Sequence, residues 1–288
     1  MKIGFVGAGK VGFSLGKYLL QNNIIISGYY SRTYKNTEQA ADFTDSQAYD
    51  SIDELLNASD VIFITVNDSA ISDVWNQIKN YQISGMIFCH CSGILTSELF
   101  EGADLLNVHT CSLHMLQAVS SKYESYKDMK SAVFTFESND DASYIILNMI
   151  SGCGNKIIKL ETQQKIKYHT AASVTSNLVD ALIHEGYDLL SECGFSYEDS
   201  KILIEPLVRN NIDNIFNYGT VDALTGPVER NDIQTVAKHI SCLNGSNKRL
   251  YLSAALKLIE ISSVKHPERN YIDMQMLLEN SLKGEAKN

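Results

Sequence analysis

In the first half of the chain, apolar residues gather in short runs, and between the runs they recur at helical spacing. The runs Ile3–Val6, Ile24–Tyr30, Val61–Val66, Met86–Cys91, Leu105–His109, Ala132–Phe136 and Lys156–Leu160 are too brief for helices and predict buried strands. Gly12–Asn22, Thr37–Ala41, Ile52–Asn57, Ile71–Asn80 and Asp141–Ser151 predict helices between them. Such alternation belongs to a parallel sheet with helices on both faces. After about Thr162 the β-rich runs stop, and long periodic segments follow: Lys165–Glu192, Tyr197–Tyr218, Asp232–Leu243, Lys248–Val264 and Tyr271–Leu282. The expectation is an α/β protein in which residues 1–162 form a doubly wound, mainly parallel sheet and residues 163–288 an all-helical domain.

The junction of the first strand and first helix carries the most specific signal. Gly7-Ala8-Gly9-Lys10-Val11-Gly12 follows the strand, and Val11, Leu15 and Leu19 open the helical period. The first glycine allows a tight turn, the second admits a pyrophosphate to the backbone, and the third lets helix and strand pack closely. The helix start then offers free N–H groups and the positive end of its dipole. This is the Rossmann-type dinucleotide turn, and the sheet is expected to be of that type. The choice of nucleotide falls at the end of the second strand. There, an acidic residue about 20 positions past the glycines would grip the ribose hydroxyls of NAD. No acidic residue occurs between Gly12 and Glu38, and Ser31, Arg32 and Thr33 stand there instead. A guanidinium with neighbouring hydroxyls suits a 2′-phosphate, so the expected cofactor is NADP(H).

Composition narrows the class without naming a reaction. The chain has 288 residues, enough for two domains, and is 44% hydrophobic and 20% charged. A net charge of −10 argues against nucleic-acid or anionic-membrane partners. No apolar run approaches the ~20 residues that span a bilayer, and Met1 leads directly into the first strand, so no leader is expected. Six cysteines without C-x-x-C spacing read as reduced thiols in a cytoplasmic protein.

In open α/β sheets ligands lie beyond the carboxyl ends of the strands. Those ends supply Val66-Asn67-Asp68, then His90-Cys91-Ser92-Gly93, then His109 to His114. Val66 and Asn67 are expected at the nicotinamide, and Ser92 and His114 at the substrate. For Asn67 and Ser92 a plain turn role competes on equal terms, whereas two imidazoles, His90 and His114, exceed what turning needs. A zinc site is not expected: the histidines and cysteines here lack metal spacing, and strand alternation points Cys89 and Cys91 away from His90.

On the helix from Lys165, the residues Lys165, His169, Ser173, Ser176 and Asn177 share one stripe, and its Ser, Asn and His content suits a confined cleft better than bulk solvent. Further along, Asp232 reads as a helix cap. Arg230 reads either as a carboxylate clamp or as a surface ion pair.

Taken together, Met1–Leu19, Lys165-x-x-Tyr168-His169, Asn177 and Ala223-Leu224-Thr225-Gly226-Pro227 resemble the DUF2520 family of the 6-phosphogluconate dehydrogenase-like superfamily. That family is related to pyrroline-5-carboxylate reductases, and some members are ketopantoate reductases of pantothenate synthesis. Its His-Pro-Leu-Gln stands here as His114-Met115-Leu116-Gln117, and its Arg-Gly-Asp as Arg230-Asn231-Asp232. The resemblance implies an NADPH-dependent reductase of a small 2-oxo acid, best specified as ketopantoate, working in a cleft between the two halves. Reduction of a ketone needs a proton donor and a carbonyl polariser. Lys165 and His169, one turn apart, are the candidates in either order, with Asn177 and Ser92 on substrate oxygens, Arg230 on a carboxylate and His114 orienting it. An imino-acid reductase and a non-catalytic NADP(H) sensor are the rivals. The long apolar helices point to a homodimer.

Overall fold

The computed structural model describes residues 1–285, which fall into two compact units, Met1–Thr175 and Ser176 onward. The first unit holds strands β1 (Lys2–Val6), β2 (Ile25–Tyr30), β3 (Gln47–Ala48), β4 (Val61–Ile64), β5 (Ile87–His90), β6 (His109–Leu116), β7 (Val133–Glu137) and β8 (Ile157–Lys159). Its helices are α1 (Lys10–Gln21), α2 (Tyr34–Thr44), α3 (Ile52–Asn57), α4 (Asp68–Ile78), α5 (Tyr144–Gly152) and α6 (Lys165–Thr175). They accompany one eight-stranded sheet in the order β3-β2-β1-β4-β5-β6-β7-β8. Every neighbouring pair is parallel except β6 with β7. The α/β class and the mainly parallel Rossmann-type sheet are therefore as the hydrophobic pattern predicts. Strand order reverses direction between β1 and β4, the place where such sheets open a ligand crevice.

The continuous apolar runs of the central strands follow from burial on both faces. In β4, Val61 and Phe63 join Ile3 and Phe5 in one core, while Ile62 and Ile64 join Trp75 and Phe88 in the other. β6 departs from this rule. Cys111, Leu113 and Met115 enter the first core, while Ser112 and His114 sit in register with Glu137 and Thr135 of β7. Because alternate residues share a face, Ser112, His114, Thr135 and Glu137 make a polar patch on an otherwise apolar sheet.

Three expectations need correction. The strand placed at Leu105–His109 starts too early: Asp104–Leu106 is a 3-10 turn with Leu105 exposed, and the strand runs from His109 to Leu116. The helix placed at Lys165–Glu192 is two helices, because Ser176 leaves helical geometry (φ −122°, ψ −78°) between α6 and α7 (Asn177–Glu192). The local sequence Ser173-Val174-Thr175-Ser176 is poor in helix formers, and the Thr175 hydroxyl donates to the Ala171 carbonyl oxygen at 2.9 Å, a bond that bends helices. Finally, the units divide after Thr175 rather than at residue 162, so α6 is grouped with the sheet.

The second unit contains α7, α8 (Tyr197–Ala223), α9 (Ile233–Cys242), α10 (Gly245–Lys265) and α11 (Ile272–Glu285). Val236, Leu252, Ile259, Met274 and Leu278 form its core. Asp232 caps α9 as expected, accepting from the Thr235 N–H at 3.0 Å. α7 and α8 pack on each other, yet among their described residues only Ser200 is buried. No helix among the described residues is long and apolar enough to cross a membrane.

Candidate active site

The glycine turn is held from both sides. The Gly7 N–H donates to the Tyr30 carbonyl oxygen at 2.8 Å, and the Thr65 hydroxyl donates to the Gly7 carbonyl oxygen at 2.7 Å. Gly7 has φ 113°, and a Cβ there would run into the Thr65 backbone. A Cβ on Gly12 would strike the Gly7 carbonyl oxygen, whereas one on Gly9 would meet nothing closer than 3.8 Å. The backbone is thus closed where helix meets strand and open where a phosphate would approach. No acidic residue occupies the first turn of α1 to oppose an anion.

A cavity of about 430 Å³ runs from Gly9, Lys10 and Val11 past Val66 and Asn67 to Ser92. Ala8 is buried in the turn. Arg32 and Thr33 stand exposed past β2, and Ser31 is tied to Thr37 by a hydroxyl pair of 2.9 Å. A second cavity of about 270 Å³ shares Val11, Cys91 and Val119 with the first and adds His114 and Gln117. Gln117 Oε1 is buried without a partner among the described residues, an acceptor of the kind a carboxamide N–H would meet. These features fit a phosphorylated nicotinamide dinucleotide.

The polar patch on β6 and β7 faces the start of α6. Lys165 is buried at 1% exposure, and its ammonium donates to the Ser92 carbonyl oxygen at 3.0 Å and to the Ser112 hydroxyl. Burial holds its pKa below the ordinary lysine value. Glu137 is buried beside the Ser97 N–H (2.8 Å) and the Thr162 hydroxyl (3.0 Å), which joins β7 to the loop after β5 and the entry to α6. One turn along α6, His169 is half-buried, and its ring stands edge-on to His114 with centroids 6.0 Å apart. His114 Nδ1 lies 2.8 Å from the Tyr168 hydroxyl. Burial, the Lys165 ammonium and His169 hold His114 down at about 4.

Ser92, expected to bond substrate, is already occupied: its hydroxyl donates to Asp68 at 2.7 Å and accepts from the N–H groups of Ile94 and Leu95. His90 is likewise a structural clamp. Its Nδ1 accepts from the Ser92 N–H at 3.2 Å, its Nε2 lies 3.1 Å from the Thr96 carbonyl oxygen, and burial with Lys165 holds it at about 3. Asn177 and Arg230 both lie in the second unit and are exposed. Asn231 adopts φ 59°, so the backbone that a glycine would give the Arg230 turn is kept by an asparagine.

Ser112 and Glu137 carry no role in the sequence pattern, and Asp68, Gly93 and Tyr168 stand in the named runs without one. The available signal was the period-2 alternation of Cys111, Leu113 and Met115, which places Ser112 and His114 on the opposite face.

Residues 132–258 match the family model described as a domain of unknown function, DUF2520, and residues 2–89 match the model described as NADP oxidoreductase, coenzyme F420-dependent. No curated protein matches the sequence. Among solved structures, the chain is similar to a Bacteroides fragilis protein assigned provisionally as an NADP oxidoreductase (21% identity over 90% of this chain and 98% of that one, TM-score 0.74). It is also similar to protein TM1727 of Thermotoga maritima (24%, 92% and 99%, 0.71) and to an imine reductase from Pseudomonas sp. (18%, 91% and 97%, 0.66). With the glycine turn, the match over residues 2–89 supports an NADP(H)-dependent oxidoreductase, and the likeness to the solved structures shows the fold.

Proposed function

We propose that this NADP(H)-dependent oxidoreductase reduces a small 2-oxo acid, with ketopantoate (2-dehydropantoate) as the substrate. The observation that carries the reading is the meeting of His169 and His114 on Gly93, next to the cavity that starts at the glycine turn. NADPH, when bound, supplies the hydride. As the carbonyl carbon accepts it, the C–O electron pair moves to oxygen, which must be stabilised and then protonated.

His169 is the proton donor. It is part-exposed beside Gly93, whereas Lys165 is enclosed with its ammonium directed to Ser92 and Ser112. Lys165 works instead through its charge and by fixing the turn that carries Gly93. Arg32, with Ser31 and Thr33, selects the 2′-phosphate. The enzyme acts in the cytoplasm, where its six free cysteines remain thiols, and it works as a homodimer through α7 and α8.

An imino-acid reductase is the second reading, supported by the likeness to an imine reductase. An iminium substrate arrives already charged and needs less help from His169. Following NADPH absorbance with ketopantoate, other 2-oxo acids and 1-pyrroline-5-carboxylate separates the readings. Oxidation with ketopantoate supports the first, oxidation with the imine alone supports the second, and none with either removes both.

A further inference from the structure

Among the described residues the His114 ring makes one hydrogen bond, between Nδ1 and the Tyr168 hydroxyl at 2.8 Å. Its other nitrogen, Nε2, has no hydrogen-bond partner among the described residues. That nitrogen faces Gly93 so closely that a Cβ there would come within 2.9 Å of it and would also press on the His169 ring. Gly93 therefore keeps open the space beside Nε2, and His114 lines the cavity that adjoins the glycine turn.

We propose that Tyr168 is a positioning residue that holds His114 in one neutral form, with the proton on Nε2, so that a fixed N–H donor beside Gly93 meets the substrate oxygen or nitrogen being reduced. The reading rests on the reductase function above. In this form the Tyr168 hydroxyl donates to Nδ1, and the imidazole's own proton sits on Nε2, the nitrogen that faces Gly93. The Thr135 hydroxyl, in register with His114, lies 3.5 Å from the His114 carbonyl oxygen and donates to it, so the same pair of strands holds the imidazole's backbone. Burial does most to keep the His114 ring neutral, with Lys165 and His169 on α6 acting in the same direction and Asp68 on α4 opposing them. A neutral N–H donor stabilises charge growing on the substrate atom without giving up its proton, which leaves protonation to His169.

Imidazole nitrogen–proton NMR correlations of the full-length protein read the tautomer without any substrate. The expected result is a bare Nδ1 and a protonated Nε2 at neutral pH, and a mixture of the two tautomers in Tyr168→Phe. With a turned-over substrate, Tyr168→Phe should lower kcat about 10-fold at unchanged KM for NADPH, and His114→Gln, which retains an amide donor, should exceed His114→Ala. A protonated Nδ1 in the unsubstituted protein overturns the proposal, as does a tautomer indifferent to Tyr168→Phe or full kcat in His114→Ala. A protein that turns over neither oxo acids nor imines fails on the reductase reading, and the catalytic use of His114 falls with it, whatever the tautomer.

Discussion

The Lys165 ammonium donates to the Ser92 carbonyl oxygen across 3.0 Å, tying the first residue of α6 to the turn that follows β5. Its second partner, the Ser112 hydroxyl, belongs to β6, so one side chain joins three elements. Lys165→Met keeps most of the volume but removes both bonds, leaving the Ser92 carbonyl oxygen with the Ser112 hydroxyl at 3.4 Å. Unfolding in urea should show a loss of about 1–3 kcal/mol. Lys165 also lowers the pKa of His114 by repulsion. Removing that charge raises the His114 pKa from about 4 toward the ordinary 6.5, so the acid limb of the pH–rate profile should move upward.

His90 makes stability depend on pH in a predictable window. Its folded pKa of about 3 lies below the ordinary 6.5, because the ring is buried and Lys165 is near. The unfolded chain therefore takes up a proton that the folded chain refuses. The stability present above pH 6.5 is lost as pH falls toward 3, and the total loss from this one residue is on the order of a few kcal/mol. His114 adds to it between 6.5 and about 4. Urea midpoints measured across that range should fall steadily. In His90→Gln the slope should flatten, even if the variant is weaker at every pH.

If His114 and His169 carry the chemistry as proposed, a change at Gly93 should separate chemistry from cofactor binding. Gly93→Ala would drive a methyl group against His114 Nε2 and the His169 ring, while the glycine turn and Arg32 stay as they are. Displacement of reacting groups by about 1 Å costs up to ~100-fold. The expected outcome is a kcat lowered by one to two orders of magnitude with NADPH affinity, read by calorimetry, unchanged. Equal losses in both would show that the residue supports the whole sheet edge and not the histidine pair.

The legible parts of this chain were those in which chemistry is written locally. Gly7, Gly9 and Gly12 announce their turn because their spacing is local to one strand and one helix, although the close approach that excludes a Cβ at Gly7 comes from the Thr65 backbone. Asp232 declares a cap for the same reason. The polar patch was hidden because it is made by register: Ser112 meets Glu137, and His114 meets Thr135, only after β6 and β7 pair. His114 was read as a loop residue because the apolar run was placed before His109, although Cys111, Leu113 and Met115 alternate as a strand should. The helix from Lys165 was read too long because periodicity continues across Ser176 while the backbone does not. Lys165 was recognised as important, but nothing in spacing tells a lysine that faces substrate from one enclosed by Ser92 and Ser112.

Arg32 stands exposed past the end of β2, with Thr33 exposed beside it and Ser31 fixed by its bonds to Thr33 and Thr37. A guanidinium–phosphate contact is worth about 1.5–3 kcal/mol, roughly 10- to 100-fold in binding. Arg32→Asp removes that contact and places a carboxylate where ribose hydroxyls would lie. Titration calorimetry should show NADPH binding weakened by that factor and NADH binding equal or improved. A variant that keeps the original preference would move the specificity determinant elsewhere, with Lys35 the next residue to test.

The last expectation concerns α7 and α8. α8, which breaks helical geometry at Gly219 (φ 84°), buries only Ser200 and does not bury enough apolar surface to account for its sequence. Ile202 and Leu207 are each 70% exposed and Phe216 is 84% exposed, and such side chains favour a protein interface over water. A specific interface buries about 800 Å² on each partner, an area that a helix pair of this length can supply. A second copy of the chain would present the same face, as two-fold pairing requires. Leu207→Glu tests this without confusion from folding. In a monomer, a change at so exposed a position costs less than about 0.5 kcal/mol, so circular dichroism and monomer stability should hold. In a dimer, it puts two carboxylates into the shared face, and light scattering should report half the mass of the unsubstituted protein. An unsubstituted protein that scatters as a single chain at tens of micromolar would leave the exposed residues of α8 for a different partner.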